Sequence, residues 1–296
     1  MLANCILLGA LLPWAGAAFS KDFMTFLVDA YGKEKANKLA RVDLTTDGSF
    51  GGRQKADEKA AHDPVLFVHG AAVTVGEDMF HQYIPLFKKY GYENGELFGT
   101  TYGPGSSGDL LRWTSYTMAC EHVIQIRDML HAIHRYTHRK VDVVAFSMGE
   151  VIARKAILGG KCVDTGFDLG SPLTFMVDTF VGVAGPNQGV APHNIPGCIL
   201  MLGPVCNRNN GLWSGLCPQK SDFLKDLESQ KHYEGAFVYS IGSRGDEIVG
   251  YSICNAKITA IPGEDGRKEY DGITHGNLVG HSKEVVYKMV TDHVVP

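Results

Sequence analysis

Cations are nowhere massed in this chain. Its 28 Lys and Arg are scattered among 32 Asp and Glu, for a formal net charge of −4. Without a basic block to release counterions from a row of phosphates, nucleic acid is excluded as a partner. Asn-x-Ser/Thr triplets are missing, so no N-glycosylation is expected. No Cys-x-x-Cys pair or Cys/His cluster has zinc spacing, and no acidic stretch has calcium-loop spacing, so neither a metal nor a cofactor is expected. Repeats and low-complexity tracts are absent. No stretch reaches the ~20 apolar residues that a transmembrane helix needs.

What is present begins with MLANCILLGALLPWAGAAFS, a short apolar run followed by small residues at Ala15, Gly16, Ala17 and Ala18. That is the pattern of a secretory signal with its cleavage site, although no Lys or Arg precedes the apolar run. Residues 1–20 are therefore read as a signal peptide and 21–296 as a single domain of a secreted, extracellular protein. Loss of the leader removes Cys5. It leaves Cys120, Cys162, Cys198, Cys206, Cys217 and Cys254, an even set that suits an oxidising compartment and structural disulfides whose pairing spacing cannot fix.

Residues 22–40 carry helical spacing. Beyond them VLFV (65–68), ELFGTTY (96–102), VDVVAF (141–146), TFVGVAG (179–185), AFVYSIG (236–242) and AKITAI (256–261) read as short buried strands. Segments 79–91, 116–137 and 148–160 between them place apolar residues three and four apart, as amphipathic helices do. Strands alternating with helices imply a mostly parallel sheet covered on both faces, an α/β fold whose ligands gather at the carboxyl ends of the strands.

One strand stops on a serine. In VVAFSMGEV, the strand 141–146 runs straight into the helix 148–160, so Ser147 must occupy a very tight turn. Such a turn holds a hydroxyl up above the sheet and needs small neighbours, here Ala145 and Gly149, because strand and helix nearly touch. Taken alone, the five-residue pattern is common, and a serine capping an ordinary helix would look the same. A serine hydroxyl becomes a useful nucleophile only beside a base oriented by a carboxylate, and on such sheets the chain order is Ser, Asp/Glu, His. Asp246, in the turn SRGDEIV after strand 236–242, takes the second place. For the third, His275 in a Gly-bounded loop is favoured over His281, which stands at the apparent start of the last helix. Attack on an acyl carbon also requires N–H donors for the resulting oxyanion. Backbone amides of Met148, after the serine, and Ala71, in VLFVHGAA, are the candidates, with His69 and Gly70 shaping that loop.

VLFVHG, AFSMG, SRGDEIV and THGNL, in this order, resemble the class 2 lipases, compact α/β-hydrolase lipases of bacteria and related secreted lipase-like proteins of nematodes. DFMTFLVDAYG, the SFGG at 49–52 and KCVDTGFDLGSPLTFMVDTFVGVAGPNQG resemble the nematode group in particular. The resemblance implies an α/β-hydrolase fold and a serine hydrolase of acylglycerols or other carboxylic esters. It places Ser147, Asp246 and His275 at the triad positions and Ala71 and Met148 at the oxyanion positions. Two residues depart from the bacterial pattern of the G-x-S-x-G type. Ala145 replaces the first glycine, as in small bacterial members, and Phe146 stands where those members carry histidine.

The resemblance is weakest over 190–220, a Gly-, Pro- and Asn-rich stretch with apolar residues and three cysteines. It reads either as a lid or acyl-binding loop stapled through Cys198, Cys206 and Cys217, or as a disulfide-tied insertion packed on the core. His131, His134 and His138 share a helical face, but Arg135, Arg139 and Lys140 crowd the same end, which fits a solvated helix terminus better than a metal site. Two function classes stand: a secreted ester hydrolase meeting lipid or other ester substrates, possible at a lipid–water interface, and a non-catalytic lipid-binding or interaction protein on the same fold.

Overall fold

The period-2 alternation of the apolar runs decides the architecture. In VLFV, Leu66 and Val68 join one core with Val143 and Ala145, while Val65 and Phe67 join a second with Val144 and Phe146. A sheet that buries both sets must lie between two helical layers. The computed structural model describes residues 18–55, 57–77, 80, 82–105, 110–195, 197–200 and 203–296. The expected signal segment through residue 17, Cys5 included, lies outside the described residues, as do residues 196, 201 and 202 of the insertion.

Helices α1 (Lys21–Tyr31) and α2 (Lys33–Ala40) lead to β1 (Ser49–Phe50) and β2 (Val65–Val68). Then come α3 (Tyr83–Lys89), β3 (Leu97–Thr100), α4 (Cys120–Thr137), β4 (Val141–Phe146), α5 (Met148–Leu158) and β5 (Val177–Val183). The insertion holds the short α6 (Gly197–Leu200) and runs into α7 (Asp222–Leu227). Beyond it lie β6 (Phe237–Ser243), a hairpin of β7 (Ser252–Ile253) and β8 (Ala256–Lys257), β9 (Gly266–Tyr270) and α8 (His275–Asp292).

Seven strands form the central sheet in the order β1-β3-β2-β4-β5-β6-β9, parallel except for the β1–β3 pair. Side chains from α1, α2, α4 and α5 fill the core on one face, and those from α3 and α8 fill the other. The helical pattern of 22–40 divides at Gly32, whose φ of 84° no continuous helix accepts. Phe19 and Ser20 belong to the folded unit: Phe19 bridges Gly51, and the Ser20 hydroxyl accepts from Phe23 N at 3.1 Å to cap α1.

Two expectations are corrected. AKITAI is not a strand of the central sheet. Only Ala256–Lys257 pair, in the small hairpin, and the last parallel strand is the charged GRKEY of β9. Its five residues are all half-buried at the sheet edge, so polar side chains suit it. Second, α8 starts at His275, ahead of the point expected from His281, so His275 is a helical residue and not a loop residue. The six cysteines, whose pairing the spacing leaves open, join as Cys120–Cys162, Cys198–Cys206 and Cys217–Cys254. Only one bridge is thus internal to the insertion, while Cys217 ties it to the β7–β8 turn.

Candidate active site

Ser147 occupies the single position between β4 and α5, with φ 53° and ψ −131°. Positive φ strains any residue with a Cβ, and it is held here by its neighbours. Ser147 N donates to Val183 O at 2.8 Å, and Glu150 N returns to Ser147 O at 3.0 Å. Crowding explains the small residues around it. A Cβ on Gly149 would stand 2.1 Å from His69 O, and one on Gly70 would stand 3.1 Å from both Ser147 Cβ and Phe146 Cδ1. The end of β2 and the first turn of α5 are therefore in backbone contact.

Strand β6 ends at Ser243, and the following turn carries Asp246. One carboxylate oxygen, Oδ1, accepts from Ile248 N at 3.0 Å and Val249 N at 2.8 Å, which fixes the side chain. The other, Oδ2, lies 2.8 Å from His275 Nδ1. Because a carboxylate only accepts, Nδ1 carries the imidazole proton, and Nε2 is left to accept from the Ser147 hydroxyl at 3.0 Å. All three side chains are buried. His275 is positioned from two sides: the Glu247 carboxylate accepts from its backbone N–H at 3.0 Å, and its ring lies 4.9 Å from that of Phe146. Phe146, where the bacterial pattern has histidine, thus packs on the imidazole. His281 faces solvent six residues on, edge-to-face with Tyr270 at 5.6 Å.

A cavity of about 330 Å³ opens over Ser147 and His275. Ala71 and Met148 line it, together with Trp113 and, from the insertion, Val190, Val205 and Leu212. Its walls are apolar, and Glu247 is the one ionisable group besides His275 among its described lining. His69 lies behind the Ala71 loop. Its Nδ1–H donates to Gly70 O at 2.7 Å, its Nε2 accepts from Tyr102 N at 3.0 Å, and its ring stacks on Tyr102 at 4.2 Å. Burial drives its pKa down to about 3, so the imidazole is neutral, with both nitrogens spent on the loop.

Three contributors escaped the sequence reading. Trp113 lies on a short 3-10 turn with no motif of its own. Glu247 adjoins Asp246, yet nothing in DEIV says which acid turns toward the histidine. Glu150 completes the capping-box spacing S-x-x-E with Ser147, a detectable signal, but its side chain turns inward instead of capping the helix.

No curated protein matches the chain in sequence. Among solved structures it is similar to lipase B of Aspergillus fumigatus (TM-score 0.56, 15% identity), covering 82% of this chain and 56% of that one. The chain thus spans little more than half the length of the Aspergillus protein. It is also similar to the mature lipase BlEst2 of Bacillus licheniformis (TM-score 0.52, 15% identity; 82% and 98% covered). A monoacylglycerol lipase of Paleococcus ferrophilus gives TM-score 0.50 at 11% identity, covering 83% and 98%. At such identities the likeness is one of fold. A family model for lipase (class 2) matches residues 62–288, most of the chain, and the chain therefore belongs to the class 2 lipase family of ester hydrolases.

Proposed function

We propose that the protein is a secreted carboxylic-ester hydrolase acting on acylglycerols or similar esters through Ser147, His275 and Asp246. The observation that carries this reading is the continuous path from Ser147 Oγ to His275 Nε2 at 3.0 Å and from Nδ1 to Asp246 Oδ2 at 2.8 Å. His275 takes the hydroxyl proton as Oγ attacks the acyl carbon, and Asp246 stabilises the imidazolium that forms. The carbonyl oxygen, now negative, is received by the backbone N–H groups of Met148 and Ala71. Collapse expels the alcohol, which leaves with the proton from Nε2. Water then repeats the sequence on the acyl-enzyme, releasing the acid and restoring Ser147. The acyl chain lies in the apolar cavity.

Secretion belongs to the same reading. Three disulfides need an oxidising compartment to form. Phe19 and Ser20 are built into the fold, which supports removal of the leader ahead of Phe19, near the small residues 15–18, and not after residue 20. No described helix is long and apolar enough to cross a membrane. Exposed Ile195 and Leu216 on the insertion give the molecule apolar points of contact with a lipid surface.

The experiment is ester hydrolysis together with covalent labelling by a fluorophosphonate. Ser147→Ala should lower turnover of a short-chain chromogenic ester by on the order of 10⁶ and abolish the label. A folded wild-type protein that neither hydrolyses esters nor takes the label would instead be a lipid-binding or interaction protein.

A further inference from the structure

Glu150 is a fully buried carboxyl group in the first turn of α5, the helix whose N-terminal amide at Met148 faces the oxyanion in the reading above. The fold makes room for it at some expense. A Cβ on Gly182 of β5 would lie 2.2 Å from the carboxyl carbon, and one on Gly185 would lie 1.9 Å from Oε2. Its hydrogen bonding is too sparse to solvate a full negative charge. Oε1 accepts from the Asn187 amide at 2.5 Å, and Oε2 has no partner among the described residues.

The cations near Glu150, Arg154 and Arg267, favour its charged form through their fields but make their hydrogen bonds to other groups. From α5, Arg154 donates through Nε to Glu234 Oε1 at 2.8 Å, through Nη1 to Asn187 Oδ1 at 2.8 Å and through Nη2 to Leu227 O at 3.3 Å. From β9, Arg267 donates to Glu269 Oε1 at 2.9 Å and Thr259 Oγ1 at 2.6 Å. Glu264, in the turn before β9, accepts from Ile261 N at 3.0 Å and adds a repelling carboxyl. Tyr233, under Arg154, stays a neutral phenol because burial raises its pKa. Glu234 has an ion pair; Glu150, among the described residues, has none. A buried carboxylate with one amide donor and no ion pair is strongly disfavoured.

We propose that Glu150 is an electrostatic positioning residue, held as the neutral acid in the working enzyme, whose ionisation sets the alkaline limit of turnover. The cause lies in α5. Its N-terminus carries partial positive charge that the oxyanion must use. A carboxylate in the same first turn competes for that field and repels the oxyanion, whereas a carboxylic acid does neither. When the proton leaves to hydroxide no bond to substrate changes, so kcat falls while KM is little affected. Desolvation, which lifts the Glu150 pKa to about 8, puts this step on the alkaline side of neutrality.

The inference rests on ester hydrolysis at Ser147, and the test separates the two. The kcat for a soluble short-chain ester is measured from pH 7 to about 9.5, with spontaneous hydrolysis subtracted, for wild type, Glu150→Gln, Glu150→Ala, Glu264→Gln and Ser147→Ala. Wild-type kcat is expected to fall about tenfold over this range. In either neutral Glu150 variant that folds, the ratio of kcat at the two ends should stay near one, while Glu264→Gln should keep the fall. A flat wild-type profile overturns the proposal, as does a fall that survives at Glu150 or disappears in Glu264→Gln. Turnover that persists in Ser147→Ala would sink the assignment of the nucleophile instead.

Discussion

At the scale of single residues, the closeness of β2 to α5 should be the most sensitive feature of the site. Gly149 has no room for a methyl group, because its Cβ would press on His69 O at 2.1 Å. His69 cannot yield cheaply, being tied through both ring nitrogens and by the Tyr102 hydroxyl, which donates to His69 O at 3.0 Å. Gly149→Ala should therefore displace the Ala71 loop and with it the oxyanion donor proposed there, lowering kcat by about 10²–10³ with KM little changed. Steady-state kinetics on a short-chain ester checks this, and a kcat within threefold of wild type would deny the loop its role (about 0.6 kcal/mol). The two candidate histidines separate just as sharply. His275→Ala should cost on the order of 10⁶ in kcat, whereas His281→Ala, on the surface beside Tyr270, should alter it by about twofold at most.

Elements were legible from sequence in proportion to how fully they are buried. VLFV and VDVVAF fold over the expected spans because central parallel strands must be apolar on both faces. GRKEY did not announce itself, since an edge strand with half-buried side chains has no apolar run to display. The start of α8 was hidden by its glycines: Gly276 and Gly280 read as loop, yet the Thr274 carbonyl opens the helix by accepting from Leu278 N at 3.1 Å. Ser147, Asp246 and His275, whose side chains the fold brings together, could be singled out because each sits at an element boundary with a chemical requirement attached. Glu247 and Trp113 could not, because their contribution depends on where folding brings them. Of the two readings of the insertion, a fixed wall fits its attachments better than a swinging lid. Val190, Val205 and Leu212 are buried against the cavity, Cys198–Cys206 closes the loop that carries Val205, and Cys217–Cys254 anchors the far end. Replacing Cys198 and Cys206 together by serine should loosen the wall and cost about 2–4 kcal/mol of stability. The KM for an eight-carbon acyl ester should rise severalfold relative to the acetyl ester, in a chain-length series run below the solubility limit. Equal effects on both esters would show that the bridge does not shape the acyl site.

For the molecule as a whole, buried ionisable groups should make stability follow pH, His69 and Glu150 among them. His69 is neutral in the fold, with its pKa depressed from 6.5 to about 3. Above pH 6.5 it is neutral in the unfolded chain as well. As pH drops from 6.5 towards 3, the unfolded chain gains a proton that the fold refuses, and stability declines by ~1.4 kcal/mol per unit from this group. Glu150 acts at the other end. Its pKa is raised from 4.5 to about 8, so its contribution is complete below pH 4.5 and is lost as pH climbs to about 8. Burial raises the carboxyl of Asp142 as well, which adds to the alkaline decline. Because several groups act at once, the absolute curve is a sum, but the difference between two variants isolates one group. Glu150→Gln carries no proton that can leave. Its stability relative to wild type should therefore improve by ~1.4 kcal/mol per pH unit between about 4.5 and 8 and level off beyond. Urea midpoints, converted with the measured slopes at half-unit pH steps, test this without reference to activity. A difference that stays constant across that range would mean that Glu150 is already ionised in the fold, at the same pH as in the unfolded chain. The field at the head of α5 would then have to accommodate a negative charge throughout the working range of the enzyme.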